Sequence, residues 1–180
     1  MFETLEICPD VLDTPPEGIL EATYGDASVN AGNVLTPTQV RTPPTHLAWS
    51  TETESLYTFL MTDPDAPSRS QPTFREWHHY LVVNIPGNAI DEGQTVAEYI
   101  GAAPPPETGL HRYIFLAFRQ NNRIEYTDPL RTNRSADGRG SQSTRALIEK
   151  YNLGKCVAGN CFQAEFDDIV PTIYQELSGG

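Results

Sequence analysis

The sequence predicts a mainly β fold, and three stretches in the middle of the chain carry this prediction. Residues 77–85 and 110–118 are rich in aromatic and β-branched side chains. Residues 56–63 place large apolar side chains at alternate positions, which are Tyr57, Phe59 and Met61. Alternation with a period of two and these residue types are typical of buried or half-buried strands. We therefore expect the three stretches to be central strands of a mainly antiparallel sheet.

The rest of the chain gives weaker signals about its organisation. The proline-rich residues 42–45 and 103–107 interrupt any regular element and predict ordered loops. The 15 prolines and 13 glycines are spread along the chain, so no linker divides it. A chain of 180 residues is long enough to bury roughly 70% of the surface that its unfolded form exposes. We expect residues 1–180 to form a single domain.

Two short helices are predicted in the second half of the chain. Thr95 and Glu98 match a capping box, which predicts a helix over residues 95–99. Ser143 can cap another helix, for which Gly154 is the expected stop. One face of that helix carries Leu147, Ile148 and Tyr151.

The clearest helical signal lies near the C-terminus. The apolar residues have the spacing i, i+3, i+4 and i+7 of an amphipathic helix and are Val170, Ile173, Tyr174 and Leu177. Asp168 can cap this helix, and Gly179 is expected to end it. Pro171 falls in the first turn, where backbone amides have no acceptor within the helix, so the lack of an amide proton costs no hydrogen bond. A β-rich body followed by a helical cap is therefore expected.

The charge of the chain excludes some classes of partner. Against 24 Asp and Glu residues there are 12 Lys and Arg residues, which gives a formal net charge of −12. Nucleic acids and anionic membrane surfaces select basic proteins, so neither is an expected partner. A bound phosphate would need a local pocket of hydrogen-bond donors, because the overall field opposes its approach.

The cysteines and the absence of targeting patterns indicate a cytoplasmic protein. No run of about 18 apolar residues occurs, and residues 1–10 lack the pattern of a secretory signal. We therefore expect no integral membrane association. Three cysteines, an odd number without zinc-type spacing, suit reduced thiols. A disulfide between Cys156 and Cys161, formed across a tight turn, is the alternative.

The densest polar cluster follows the first predicted central strand, in residues 63–69. Pro64 keeps Asp63 out of the α region, so the carboxylate is held at the end of the strand. Asp63 and Asp65 can bind a hard cation or share a proton. A turn in which one aspartate accepts amide hydrogen bonds explains the same residues. The residues alone favour the turn.

Three of the four histidines fall in predicted strands, where successive side chains alternate between the two faces. His78 and His79 should therefore point to opposite faces. The face of His79 is expected to carry Trp77, His79, Leu81 and Val83, and the face of His78 also carries Tyr80. In the third strand His111, Tyr113 and Phe115 share a face, and Arg112 lies opposite. If two of these faces converge, one pocket combines Trp77, His79, His111 and Tyr113.

Several hypotheses explain these residues. A histidine in a strand is more often a packed, hydrogen-bonded residue than a functional one. His79 and His111 with Asp63 also fit a zinc site of three protein ligands and a water. No serine or cysteine lies in a nucleophile-elbow motif, so covalent hydrolysis has no support in the sequence. Arg112 should pair with an acid, since a lone buried charge costs several kcal/mol or more, and Asp65 is the candidate.

Three segments carry a family resemblance. They are residues 62–69 (TDPDAPSR), 76–84 (EWHHYLVVN) and 109–113 (GLHRY). In residue type, order and spacing they closely resemble the phosphatidylethanolamine-binding proteins, also called Raf kinase inhibitor proteins. The resemblance runs from about Cys8 to residues 157–165 and 177–179, which is nearly the whole chain.

The resemblance implies both a fold and a ligand site. The fold is a large antiparallel central sheet with a smaller second sheet and short peripheral helices, including one at the C-terminus. The site is a small surface cavity for phosphate, phosphorylethanolamine or a similar anion. Its walls would be Asp63, Ala66, Pro67, Trp77, His79, His111 and Tyr113, with Gly101 and Pro104 at the rim and Tyr174 closing the mouth. Ala103 stands where many family members have glycine, and its methyl group can weaken binding.

The function expected from the resemblance is regulatory. The first hypothesis is a modulator of a protein partner, such as a kinase or a protease, whose docking depends on the bound ligand. A carrier of phospholipid headgroups or nucleotides is the second, and a metal-dependent hydrolase using Asp63, His79 and His111 is the third and weakest. We expect a monomer without catalytic residues, cofactor or bound metal.

Overall fold

The computed structural model describes residues 1–179 and is built mainly from strands. The strands are β1 (Gly18–Ile19), β2 (Glu21–Tyr24), β3 (Ala27–Ser28), β4 (Asn33–Val34), β5 (His46–Ala48), β6 (Leu56–Asp63), β7 (Trp77–Pro86), β8 (Gln94–Ala97), β9 (His111–Gln120) and β10 (Leu153–Ala164). The α-helices are α1 (Ile7–Asp10), α2 (Thr144–Lys150) and α3 (Val170–Ser178), and a 3₁₀ turn spans Ile90–Glu92. No helix of the described residues is long and apolar enough to cross a membrane. The prediction of a mainly β fold is confirmed.

The strands form one large sheet and one small sheet. The large sheet has the order β1-β10-β9-β6-β7-β8, and β4 also pairs with β10. Strands from β10 to β8 pair antiparallel, whereas β1 and β4 pair with β10 in parallel. The small sheet has the order β3-β2-β5. The three predicted central strands are therefore confirmed as β6, β7 and β9, which are neighbours in the middle of the large sheet.

Each face of the large sheet packs on its own hydrophobic cluster. The first face carries the predicted set of Tyr57, Phe59 and Met61. It packs against the small sheet, for example against Tyr24. The second face carries Leu60 and packs against the N-terminal segment and α2 through Ile7 and Leu147. One alternating strand thus supplies side chains to two separate cores.

A β-bulge in β7 breaks the simple alternation along that strand. Met61 of β6 pairs with Tyr80, but the next residue, Thr62, pairs with His78, so His79 is an extra residue. Beyond the bulge the residues on the second face are Leu81 and Val83. The prediction that these two share a face with His79 is therefore wrong, because the bulge shifts the alternation by one residue.

The predicted helix over residues 95–99 is wrong. These residues belong largely to β8, where Ala97 pairs with Leu81 and both side chains are fully buried. Pairing with β7 satisfies the backbone of this short segment, whereas a five-residue helix would leave most of its amide and carbonyl groups without partners. The proline-rich loops at residues 42–45 and 103–107 are confirmed.

The second predicted helix forms, but its predicted end is wrong. The Ser143 hydroxyl oxygen accepts a hydrogen bond from the Ala146 amide at 3.2 Å, so the predicted cap is confirmed. The helix ends before Asn152, which has a positive φ of 49°, and Gly154 already lies in β10. Asparagine tolerates this left-handed conformation better than most residues, which explains why no glycine is needed there.

The C-terminal helix α3 is confirmed, with Pro171 in its first turn and Gly179 at its C-terminal end. Asp168 does not cap it. The N-terminal boundary is Ile169, whose amide donates to the side chain of Asp167 at 3.0 Å. Cys156 and Cys161 are both in β10, so no tight turn brings them together, and both thiols are free.

Candidate functional site

Three strand ends meet at one edge of the large sheet and surround a cavity of about 360 Å³. Asp63 is the last residue of β6, whereas Trp77 and His111 are the first residues of β7 and β9. Because β7 and β9 both run antiparallel to β6, the three ends lie side by side. We call this space the first cavity.

The first cavity contains most of the residues that the family resemblance assigns to ligand binding. The structure places on its wall Asp63, Ala66, Pro67, Trp77, His79, His111, Tyr113 and Tyr174. Aromatic contacts hold part of this set together, since the ring centroid of His79 lies 4.4 Å from that of Trp77 and 5.2 Å from that of Tyr113. Their role in binding a ligand stays a prediction.

The expected rim residues differ from the lining that the structure shows, and their role in binding a ligand stays a prediction. Gly101 and Pro104 are buried and do not line the first cavity. A Cβ atom at Gly101 would lie 2.7 Å from the backbone oxygen of Val40, so this glycine permits a close backbone approach away from the cavity. The same segment instead presents to the cavity Ile100, Ala103 and Pro105.

A contact between α3 and the loop after β8 lies at the mouth of the first cavity. The Tyr174 hydroxyl donates a hydrogen bond to the backbone oxygen of Ala103 at 2.7 Å. Ala103 is not among the described non-glycine residues with positive φ, so its methyl group imposes no backbone strain. Phe74 and Tyr174, 54% and 38% exposed, give this mouth an apolar surface.

His111 has both of its ring nitrogens occupied by protein groups. Nδ1 lies 2.9 Å from the Asp63 carboxylate, and Nε2 lies 2.9 Å from the Thr108 hydroxyl. The single hydroxyl proton of Thr108 is donated to the backbone oxygen of Pro105, so Nε2 must donate to Thr108. One proton is then held between Nδ1 and Asp63. Burial raises the pKa of Asp63, although the hydrogen bond and charge of His111 act in the opposite direction.

His79 is neutral and presents an acceptor. Nδ1 lies 2.8 Å from the backbone oxygen of Ile100, which can only accept, so Nδ1 carries the proton. Burial lowers the pKa of His79 to about 3, helped by the positive charge of Arg139. At neutral pH the lone pair on Nε2 is therefore free to accept a hydrogen bond. Neither histidine has a spare N–H for an anion.

The second aspartate of the cluster faces the opposite side of the sheet. Asp65 and Arg112 are both fully buried, and the guanidinium binds the carboxylate through two hydrogen bonds of 2.9 and 2.6 Å. Arg112 also binds Asp10 at 2.7 Å. Burial acts to raise the pKa of Asp65, but the hydrogen bonds and charge of Arg112 outweigh burial and lower this pKa. Asp63 and Asp65 thus occupy separate sites despite their closeness in sequence.

The family of this chain is shown by a family model that matches most of its sequence. The model of the phosphatidylethanolamine-binding protein family matches residues 17–162, which include every strand of the large sheet except the last two residues of β10. The chain belongs to the phosphatidylethanolamine-binding protein family.

Relatives of this chain carry different functional names. A curated Drosophila melanogaster protein named "Putative odorant-binding protein A5" is 37% identical over 180 residues, covering 99% of this chain and 85% of the relative. The solution structure of CG7054 is 45% identical with a TM-score of 0.76, covering 95% of this chain and 97% of that one. Carboxypeptidase Y inhibitor, solved in complex with its cognate proteinase, is 27% identical with a TM-score of 0.78, covering 92% and 93%. The names of these relatives therefore include both a binding protein and a protease inhibitor.

Sequence reasoning missed two contributors to the candidate site. Thr108, which binds His111, lies three residues before it in a loop, where nothing marked it out. Phe74 is an exposed aromatic residue in a polar loop, and that contrast was the signal that could have found it. The described residues contain no group of three or more His, Cys, Asp or Glu side chains arranged to hold a metal ion.

Proposed function

We propose that the first cavity binds a small phosphate monoester of the phosphorylethanolamine type and that its occupancy regulates docking of a protein partner. The observation that carries the ligand half is the neutral, buried His79 beside Asp63 and His111. Phosphate oxygens need donors, and at His79 Nε2 this cavity offers a lone pair instead. A phosphate oxygen that faces His79 Nε2 must therefore carry a proton, which it shares with that nitrogen.

The charges of the cavity support a ligand that is zwitterionic. Neither lysine nor arginine is among its lining residues, whereas Asp63 and four aromatic residues are, namely Phe74, Trp77, Tyr113 and Tyr174. An ammonium group is stabilised by a carboxylate and by aromatic faces. Phosphorylethanolamine in its monoanionic phosphate form supplies both the proton for His79 and the ammonium group. Inorganic phosphate supplies only the first and should bind more weakly.

The regulatory half of the proposal rests on the mouth of the cavity. Phe74 and Tyr174 are exposed and also line the cavity, so a partner that covers them would sense whether a ligand is present. The relative that inhibits carboxypeptidase Y makes a protease the first class of partner to test, and a kinase the second. A pure headgroup carrier is the alternative, but a cavity of about 360 Å³ offers no sheath for acyl chains.

Isothermal titration calorimetry with phosphorylethanolamine tests the ligand half. We expect one site per chain, with affinity reduced at least tenfold in His79→Ala. His46→Ala is the matched control, because the side chain of His46 is 54% exposed on β5 and lies outside the cavity. Unchanged affinity in His79→Ala, or no saturable binding to the natural chain, would contradict the proposal.

A pull-down from cell extract tests the regulatory half. We expect the natural chain to retain a protease or a kinase in an amount that changes with saturating phosphorylethanolamine, and Phe74→Ser to lose that partner. Equal retention with and without the ligand would leave the carrier function as the better account. We further propose a non-enzymatic, monomeric and cytoplasmic protein, as its three free thiols favour a reducing compartment.

A further inference from the structure

A second cavity, of about 610 Å³, opens on the second face of the large sheet. It lies between α2 and two parts of the segment that joins β9 to α2, residues 126–131 and 137–143. His78 of β7 and Arg131 line it. The two histidines that are adjacent in β7 therefore border two different cavities.

Two residues that line the second cavity each have a buried hydrogen-bond donor without a protein acceptor. A guanidinium can only donate, so the contact of 3.3 Å between Arg131 Nη1 and His78 Nδ1 makes Nδ1 the acceptor and places the imidazole proton on Nε2. Within residues 1–179, neither Nε2 of His78 nor Nε of Arg131 has a hydrogen-bond partner. The two residues are only 1% and 9% exposed. Unpaired buried donors are rare and call for an acceptor.

The floor of the second cavity also carries positive charge without a balancing carboxylate. Among the described residues, no carboxylate lies within 4.0 Å of Arg131 or of the fully buried Arg139 beside it. Burial and the charge of Arg131 lower the pKa of Arg139 to about 10. Of the acids that line the cavity, Asp128 is bound to Lys150 and to the Tyr151 hydroxyl. The other, Asp137, is exposed.

Apolar side chains form one part of the walls of the second cavity, and Ser141, Gln142 and Ser143 form another. Tyr126 and Tyr151 stack with centroids 5.2 Å apart and planes inclined by 18°. Leu147 of α2 is buried beside them, and Leu130 is 67% exposed at the opening. A ligand that suits this space has an apolar body and one small anionic end, because the buried unpaired donors belong to residues at the floor.

We propose that the second cavity binds a small apolar carboxylate, whose two oxygens accept hydrogen bonds from His78 Nε2 and Arg131 Nε. Two separate donors match the two oxygens of a carboxylate, and the guanidinium makes these hydrogen bonds charge-assisted. The stacked tyrosines and Leu147 bury the apolar body. This site is separate from the first cavity, and its ligand differs in having no ammonium group and no proton to share.

Benzoate is a suitable probe for the natural chain. In NMR titrations we expect saturable amide shifts at Gly138 and Tyr151, around the second cavity, and none at Ala103 and Tyr113, around the first. Benzamide has the same shape without the charge and should bind at least tenfold more weakly. Equal binding of both ligands would overturn the proposal, and so would shifts confined to the first cavity. The absence of a saturable shift up to a benzoate concentration on the order of 10 mM would also overturn it, because this is ten times a millimolar dissociation constant.

Two substitutions at His78 form a matched pair. His78→Asn keeps an acceptor near the position of Nδ1 for Arg131 but removes the Nε2 donor, so benzoate binding should fall at least tenfold. His78→Gln places an amide donor near the position of Nε2, so the dissociation constant for benzoate should stay within about threefold of the natural value. A change of that size is no larger than the contribution of one neutral hydrogen bond. Arg131→Met removes the charge and keeps the apolar stem, and it should also abolish the preference for benzoate over benzamide. Retained preference in Arg131→Met would overturn the proposal even if a His78 variant fails to fold.

Discussion

The two faces of the large sheet treat neighbouring residues of the same type in opposite ways. His79 on the first face donates to a backbone oxygen and lies near Asp63 and His111, whereas His78 on the second face accepts from Arg131. Asp63 pairs with a histidine and Asp65 with an arginine. The first face therefore carries groups whose protonation can change, and the second face carries fixed positive charge. Burial lowers the pKa of both histidines, and the partner of Nδ1 decides which ring nitrogen carries the proton.

The largest expected effect tests the fixed charge of the second face. Replacing Asp65 with alanine leaves Arg112 buried with only Asp10 as an acidic partner, so the free energy of unfolding should fall by about 3–5 kcal/mol. Urea denaturation of Asp65→Ala measures the loss, and Asp63→Asn, on the first face, serves as the control. A loss below about 1 kcal/mol would mean that the second face does not depend on this ion pair.

The next prediction concerns the first face and the pH dependence of stability that His79 causes. The pKa of His79 is about 3 in the fold, against 6.5 for an ordinary histidine, so below pH 6.5 the unfolded chain binds a proton that the folded chain does not. The stability contributed by neutral His79 is therefore present above pH 6.5 and is lost as pH falls toward 3. Between pH 8 and pH 5 this loss should amount to about 2 kcal/mol.

Denaturant unfolding at several pH values isolates that contribution. We expect the pH dependence between 8 and 5 to be shallower in His79→Gln than in the natural chain, because glutamine does not titrate. Burial also lowers the pKa of His78, which adds a dependence of the same sign in both proteins. Identical pH profiles for the two proteins would show that His79 titrates normally and would remove the basis for its neutral state.

A smaller effect concerns the ligand of the first cavity. If the bound phosphate shares a proton with His79, binding takes up one proton, and affinity for phosphorylethanolamine should rise by at most about tenfold per pH unit from pH 8 toward 6. Only one proton is expected, since Asp63 and Thr108 already occupy both nitrogens of His111. Calorimetry in buffers of different ionisation enthalpy counts the protons. An uptake of two protons would contradict this account of the site.

The smallest effect concerns the closure of the first cavity. Tyr174→Phe removes the hydrogen bond to the Ala103 backbone oxygen, and the free energy of unfolding should fall by about 1 kcal/mol or less, because Tyr174 is 38% exposed. Thermal unfolding measures the change, with Tyr151→Phe as a control on the second face. A loss well above 1 kcal/mol would show that the mouth contributes to the core and is not a movable contact.

The sequence by itself determined the central strands and the partition of the polar residues between faces. Alternation over residues 56–63 and 110–118 predicts which side chains share a core, because a strand turns each successive side chain to the other face. The same rule separates His78 from His79 and Arg112 from His111. The family resemblance then assigned the wall of the first cavity from Asp63 to Tyr174, since its motifs fix residue types at given positions.

Only the tertiary structure decided what depends on contacts between distant segments. The bulge at His79 follows from the pairing of β7 with β6, and the strand at Gln94–Ala97 exists because β7 offers it a paired edge. The proton positions on His111 depend on Thr108 and Pro105, and the second cavity depends on Arg131 reaching His78 across 53 residues. Hydrogen-bond partners and burial set these states, and neither is encoded in the local pattern of residue types that a sequence displays.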